Sequence, residues 1–83
     1  MSRNLNHEET ETLREYVSDK LGFPIEEVAD HTNLHTDLGM DSLDAIEILF
    51  DVEKMFNIHI SDDKAENVKT FENLVELINQ YVN

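Results

Sequence analysis

The residue best placed for chemistry is Ser42, in the run Asp41-Ser42-Leu43-Asp44. A serine hydroxyl can attack an acyl group when a base activates it, cap a helix, or form an ester with phosphate. The chain has four histidines, His7, His31, His35 and His59, and no cysteine. With no thiolate and no disulfide of its own, any thiol chemistry must come from an attached group. The histidine spacing is not that of a zinc site. His31 and His35 with Asp30 or Asp37 offer at most a loose site for a divalent ion, and Asp62-Asp63 is too short for a calcium loop. Hydrolytic use of Ser42 would need a histidine base held by a third group and an oxyanion hole. A small helical chain offers no evident enclosed cleft for these, so no catalytic or metal-binding residues are assigned. The cap and the ester remain open for Ser42.

Ser42 has to be held by helices. Leu13, Tyr16, Val17 and Leu21 recur at helical spacing behind an Asn6/Glu9 capping box, predicting a helix over about 7–20 that Gly22 and Pro24 end. Residues 22–40 then form a long connection, with a possible helical turn at Ile25 to Ala29. A loop of this length needs pinning or a function, and Ile25, Val28, Leu34 and Leu38 are its candidate pins. Asp41, followed by Asp44, is a natural cap for a second helix over about 42–56. A short third helix is expected at 62–67 behind Ser61. A last helix after Thr70 places Phe71, Leu74, Val75, Ile78 and Val82 on one face. Ile58-His59-Ile60 is too short a strand signal to outvote these patterns. The fold class is therefore all-α.

Around the second helix, Ala45, Ile48, Leu49, Val52, Met55 and Phe56 fall at roughly 220° to 340° from Ser42, an ordinary buried stripe. Asp44, Glu47, Asp51 and Lys54 fall at roughly 120° to 200°, an ordinary solvated face. Leu43, Ile46 and Phe50 belong to neither and lie at roughly 40° to 100°. This second apolar stripe fits a helix buried on two sides, the lining of a cavity, or a docking surface beside Ser42. Ser42 itself falls at the first helical position, where unpartnered backbone donors and the peptide dipoles favour an anion.

Eighty-three residues fit one domain with a small core. Residues 1–6 are expected to form a loose tail and 7–83 the folded unit. No internal repeat or low-complexity segment interrupts it. Nineteen acidic against six basic residues give a formal net charge of −13. Such a chain disfavours nucleic acid and anionic membranes, favours basic protein patches, and should be stabilised by salt. The start lacks a secretory apolar run and no stretch is long enough to span a membrane, so the cytoplasm, or an organelle matrix after removal of a leader, is the expected setting; a monomer is expected.

The run Asp37-Leu38-Gly39-Met40-Asp41-Ser42-Leu43-Asp44 strongly resembles the attachment motif of acyl carrier proteins. The likeness extends back through Leu21-Gly22 and Ile25-Glu26-Glu27-Val28. It extends forward through Ile46-Glu47, Val52-Glu53, Phe56 to Ile60, Asp62-Asp63, Ala65, Thr70-Phe71, Leu74 and Ile78, with no gap needed. A lone Asp-Ser-Leu would mean little; the longer run with hydrophobic registers correct on both sides is specific.

The resemblance implies a four-helix bundle with a short third helix, a long loop between the first two helices, and a cavity able to shelter an acyl chain. It implies 4′-phosphopantetheine on Ser42, donated by coenzyme A through a holo-synthase or other phosphopantetheinyl transferase that reads Asp41 and Leu43. Asp44, Glu47 and Glu53 match acidic residues that meet basic patches of ketosynthases, acyltransferases, reductases and dehydratases. Ile46 and Phe50 match the apolar positions beside them. The implied role is non-catalytic: carrying acyl chains for fatty acid or related polyketide-type biosynthesis. An aminoacyl or peptidyl carrier is an alternative, although Met40 stands where those usually have a second glycine. An acidic helical module that only binds a protein is another. Four positions depart from the common pattern: Ser61 replaces a proline, Pro24 a polar residue, Lys54 an acid and Phe50 a methionine.

Overall fold

The computed structural model describes residues 4–82, apart from the side chain of Asp62. Its elements are α1 (His7–Leu21), a 3-10 turn (Ile25–Glu27), α2 (Ser42–Phe56), a short α3 (Asp62–Ala65) and α4 (Phe71–Asn79). This is the expected all-α, four-helix arrangement; among the described residues there is no strand.

Each long helix starts on a reciprocal capping box: Asn6 with Glu9, Asp41 with Asp44, and Thr70 with Asn73. These side chains satisfy amides that have no partner inside a helix. Helix α1 ends at Gly22, whose φ of 78° lies in the left-handed region that glycine enters without a side-chain clash. Helix α2 ends at Asn57, also left-handed at φ 54°, and the chain reverses there.

The α1–α2 connection is fastened to the start of α4. The amide of Leu34 donates to the carbonyl of Lys69 at 2.7 Å, that of Phe71 to Thr32 at 3.2 Å and that of Glu72 to Asp30 at 2.9 Å. The loop thus supplies acceptors to the first free donors of α4, which explains how so long a connection stays ordered. Within the loop, the Asn33 side chain accepts from the amides of His35 and Thr36, and the Thr32 hydroxyl bridges Ala29 and Glu27. Val28, Leu34, Leu38 and Met40 are buried pins, whereas Ile25 is exposed. Ile25 fails as a pin because the 3-10 turn that contains it has no buried residue.

The core joins Leu13 and Val17 of α1, Ile48, Leu49 and Val52 of α2, and Phe71, Leu74, Leu77 and Ile78 of α4, with Ile60 and Val82 closing its ends. Leu77 is a buried residue the periodicity reading did not name, while Val75 and Met55 are less buried than expected. Arg14 stitches three elements together. Its guanidinium donates to the Val28 carbonyl, pairs with Asp30 at 2.8 Å and Glu11 at 3.0 Å, and stacks 4.5 Å over the Phe71 ring. Burial disfavours the charged guanidinium, but its two carboxylate partners outweigh that and its pKa is raised.

Helix α3 is shorter than expected. After Ala65 the chain continues in turns, with Asn67 donating to Lys64 and Val68 to Ala65. These bonds span three residues rather than four, tightening the path so that Val68 is buried. The expected tail lies partly outside the described residues, which exclude 1–3 and Asn83. Of its remainder, Leu5 donates its amide to Asn79 at 2.8 Å and Asn6 caps α1.

Candidate functional site

Gly39 makes the approach to α2 possible. Its φ is 68°, and a Cβ built there would meet nothing within 4 Å, so backbone conformation rather than space requires glycine. Met40 then turns into the core, and its amide donates to the Leu34 carbonyl at 2.9 Å. The chain emerges at Asp41, the N-cap, whose Oδ1 accepts the Asp44 amide at 2.8 Å.

Asp41 takes the cap that Ser42 might have taken. Ser42 is the exposed first residue of α2, and among the described residues its hydroxyl has no hydrogen-bond partner. The amides of Ser42 and Leu43 also have no acceptor among the described residues. A phosphate ester on Oγ would find two free donors at the positive end of a helix, opposed by the carboxylates of Asp41 and Asp44. The site therefore fits an anionic group held covalently better than one held by charge. The ring nitrogens of His35 lie 3.1 Å from the carbonyl oxygen of Met40 and 3.3 Å from that of Val68. That ring is committed to the backbone and is not a base for Ser42. Among the described residues no group of acidic and histidine side chains is arranged to hold a metal ion.

Leu43, Ile46 and Phe50 are 62, 49 and 57 % exposed, so the second stripe is a surface. Two open grooves among the described residues lie elsewhere, one beside Ile60 and Tyr81, the other between Thr12 and Phe56.

The acidic residues of α2 differ from one another in a way their sequence does not show. Asp44 belongs to the capping box. Glu47 pairs with Lys20 of α1 at 2.5 Å, and this bond raises the lysine's pKa. Asp51 accepts from the Tyr16 hydroxyl at 2.5 Å; burial first, then this bond, pushes the phenol well above its usual range. Glu53 was expected on the exposed recognition face. It instead turns to the reversed chain, accepting the Ile60 amide at 2.9 Å and facing His59 Nδ1 at 3.0 Å. Its side chain is only 15 % exposed, because the left-handed Asn57 folds the following segment back over it.

Sequence reasoning missed Tyr16 and Lys20 as partners of α2. They stand four residues apart, hence on one face of α1, and that spacing was the available signal.

The bundle thus presents, at the start of α2, a serine with no hydrogen-bond partner among the described residues, beside an exposed apolar stripe and acidic side chains. A family model described as "Phosphopantetheine attachment site" matches residues 11–78. The chain is 38 % identical over 72 residues to an acyl carrier protein of Guillardia theta, covering 87 % of this chain and 89 % of the relative. It is 42 % identical over 62 residues to one of Amoebophilus asiaticus, covering 75 % and 78 % respectively. For one of Phytoplasma australiense the figures are 37 % over 65 residues, 78 % and 86 %. The chain belongs to the acyl carrier protein family. It is a non-catalytic, phosphopantetheine-binding carrier domain; members of the family bear that group on a serine and work with phosphopantetheinyl transferases and synthase enzymes.

Proposed function

We propose that this chain carries acyl groups on a 4′-phosphopantetheine arm joined to Ser42 Oγ, and presents them to enzymes of fatty acid or related polyketide-type biosynthesis. The single observation that carries the reading is the Ser42 hydroxyl, exposed and, among the described residues, unpartnered, with Asp41 holding the cap. In the loading step a transferase directs Ser42 Oγ at the pyrophosphate of coenzyme A. The new bond joins Oγ to the phosphorus that bears the pantetheine, the pyrophosphate P–O bond breaks, 3′,5′-ADP departs, and the serine proton leaves to solvent. When bound, the arm supplies the thiol this cysteine-free chain lacks, and that thiol holds acyl groups as thioesters.

The chain's own residues supply recognition. Leu43, Ile46 and Phe50 offer apolar contact beside Ser42, and Asp41, Asp44 and Glu47 offer negative charge to basic patches on ketosynthases, acyltransferases, reductases and dehydratases. Contacts of this kind raise the association rate without locking the complex, which suits a carrier that must leave each enzyme. A cytoplasmic setting, where coenzyme A and such enzymes meet, belongs to the same reading.

Intact mass before and after treatment with a phosphopantetheinyl transferase and coenzyme A tests it. One arm should be gained by the parent chain and none by Ser42→Ala; a gain surviving that substitution would place attachment elsewhere. Mass spectrometry of the native cargo should then show aliphatic acyl groups, whereas aminoacyl groups would identify the peptidyl-carrier class.

A further inference from the structure

Helix α2 carries four acidic residues, Asp44, Glu47, Asp51 and Glu53, and the structure gives each a different neighbour. Asp44 closes the capping box, Asp51 holds the Tyr16 hydroxyl, and Glu53 holds the Ile60 amide. Among the described residues Glu47 alone of the four pairs with a lysine or arginine, the ammonium of Lys20, while Glu53 also faces the His59 ring. Glu47 lies one helical position beyond the exposed Ile46, so it borders the apolar stripe beside Ser42. Both partners remain open to water, at 27 % exposure for the lysine and 45 % for the glutamate. The pair is thus at the rim of the surface that Ser42 shares, in a place where a partner's basic side chain would arrive.

We propose that Lys20 is a specificity-determining residue that competes, within the chain, with basic side chains of partner enzymes for Glu47. The inference rests on the reading of Ser42 and α2 given above. A lysine or arginine approaching Glu47 meets a carboxylate already paired, and meets the ammonium of Lys20 as a like charge. It must displace that ammonium or bind without Glu47. Partners whose basic patch is centred on Asp41 and Asp44 escape this competition, and those reaching farther along α2 are penalised. The alkyl stem of Lys20 can swing the charge away, so the competition is graded rather than a block.

The test is the steady-state kinetics of loading, at low ionic strength, by a phosphopantetheinyl transferase chosen because its KM rises when Glu47 of the carrier is neutralised, so that its basic surface reaches that far along α2. Lys20→Gln should lower KM for the apo carrier about two- to fivefold with kcat unchanged, the size expected for one exposed ion pair. Lys20→Arg should keep the parent KM. Lys69→Gln, the same change of net charge on an exposed residue of the α3–α4 connection, controls for general attraction and should move KM less. The decisive comparison is Glu47→Gln made in both backgrounds. If Lys20 occupies Glu47, removing the carboxylate should raise KM by a larger factor in the Lys20→Gln chain than in the parent. Equal factors in the two backgrounds, or a Lys20→Gln effect no larger than that of Lys69→Gln, would overturn the proposal while leaving the assignment of Ser42 intact. Absence of loading in the parent chain would refute that assignment and this inference together.

Discussion

Replacing Asp41 by asparagine and by alanine separates two jobs that one carboxylate performs at the start of α2. Its Oδ1 accepts the Asp44 amide at 2.8 Å, while the amides of Ser42 and Leu43 already lack acceptors among the described residues. Alanine therefore leaves a third amide of the first turn to water. Loss of such a cap costs about 1 kcal/mol. For a domain of this length that lowers the Tm by roughly 4–8 °C. Asparagine caps as well as aspartate, so its geometric loss is small. Its missing charge gives up about 0.3–1 kcal/mol at the helix start, partly offset by relief of repulsion from Asp44. Asp41→Asn should therefore lose no more than about half the Tm that Asp41→Ala loses. Loading kinetics should sort the variants differently, because both lack the charge beside Ser42: KM should rise by similar factors in each. Thermal unfolding followed by circular dichroism, together with transferase kinetics on the same preparations, gives both readouts. Equal Tm losses would refute the cap argument, and a KM that tracked Tm would refute the separate role of the charge.

Glu53 and Tyr16 supply two further expectations. Glu53→Ala removes the acceptor of the buried Ile60 amide, at a cost of about 1–3 kcal/mol. Glu53→Gln keeps an acceptor and should cost less; amide exchange at Ile60 should accelerate in the alanine variant, and protection equal to the parent's would show that the bond is not what holds this segment. The Tyr16 phenol is raised above its ordinary value of about 10, so its contribution to stability is intact below that pH and is lost as pH rises through the folded value. Urea midpoints should fall more steeply above about pH 10 in the parent than in Tyr16→Phe, and parallel curves would count against the Tyr16–Asp51 bond.

What the sequence made legible depended on the range of the interactions involved. The capping boxes are local patterns, each contained within a few residues: the Asn6/Glu9 box forms as read, Asp41 caps α2 as read, and the Thr70/Asn73 box, equally local, was not named in advance. The separation of α2 into a buried stripe and a second apolar stripe follows from helical geometry alone, and Leu43, Ile46 and Phe50 emerge on the surface together. The partial burial of Glu53 was not legible because its partner, the Ile60 amide, lies seven residues on, beyond a left-handed turn at Asn57. Its charge and its position on α2 were visible; the return of the chain over it was not. Lys20 and Tyr16 were missed for a similar reason, since pairing them with Glu47 and Asp51 requires the register between α1 and α2. Ile25 shows the converse case: its apolar side chain suggested a pin, but the 3-10 turn left it outside while Val28 took the buried place.

These differences alter how the acidic surface should be understood. A net charge of −13 suggests a uniformly negative surface, yet the acids of α2 are unequal in what they can offer a partner. Glu53 and Asp51 are engaged in holding α2 to neighbouring segments, so reversing either charge disturbs the fold as well as recognition. Glu47 is shared with Lys20 and is available at a discount. Asp41 and Asp44 bond mainly to each other's backbone through the cap, which consumes one oxygen of each and leaves their charge facing outward. At the Ser42 end of α2, Asp41 and Asp44 are therefore two carboxylates without a cationic partner among the described residues. Under the proposed function, a partner drawn there by charge would bring its basic patch to the serine and its apolar contacts to Leu43 and Ile46. On that same proposal, steering and positioning would then coincide at Ser42, and the far end of α2 would be left to distinguish one enzyme from another.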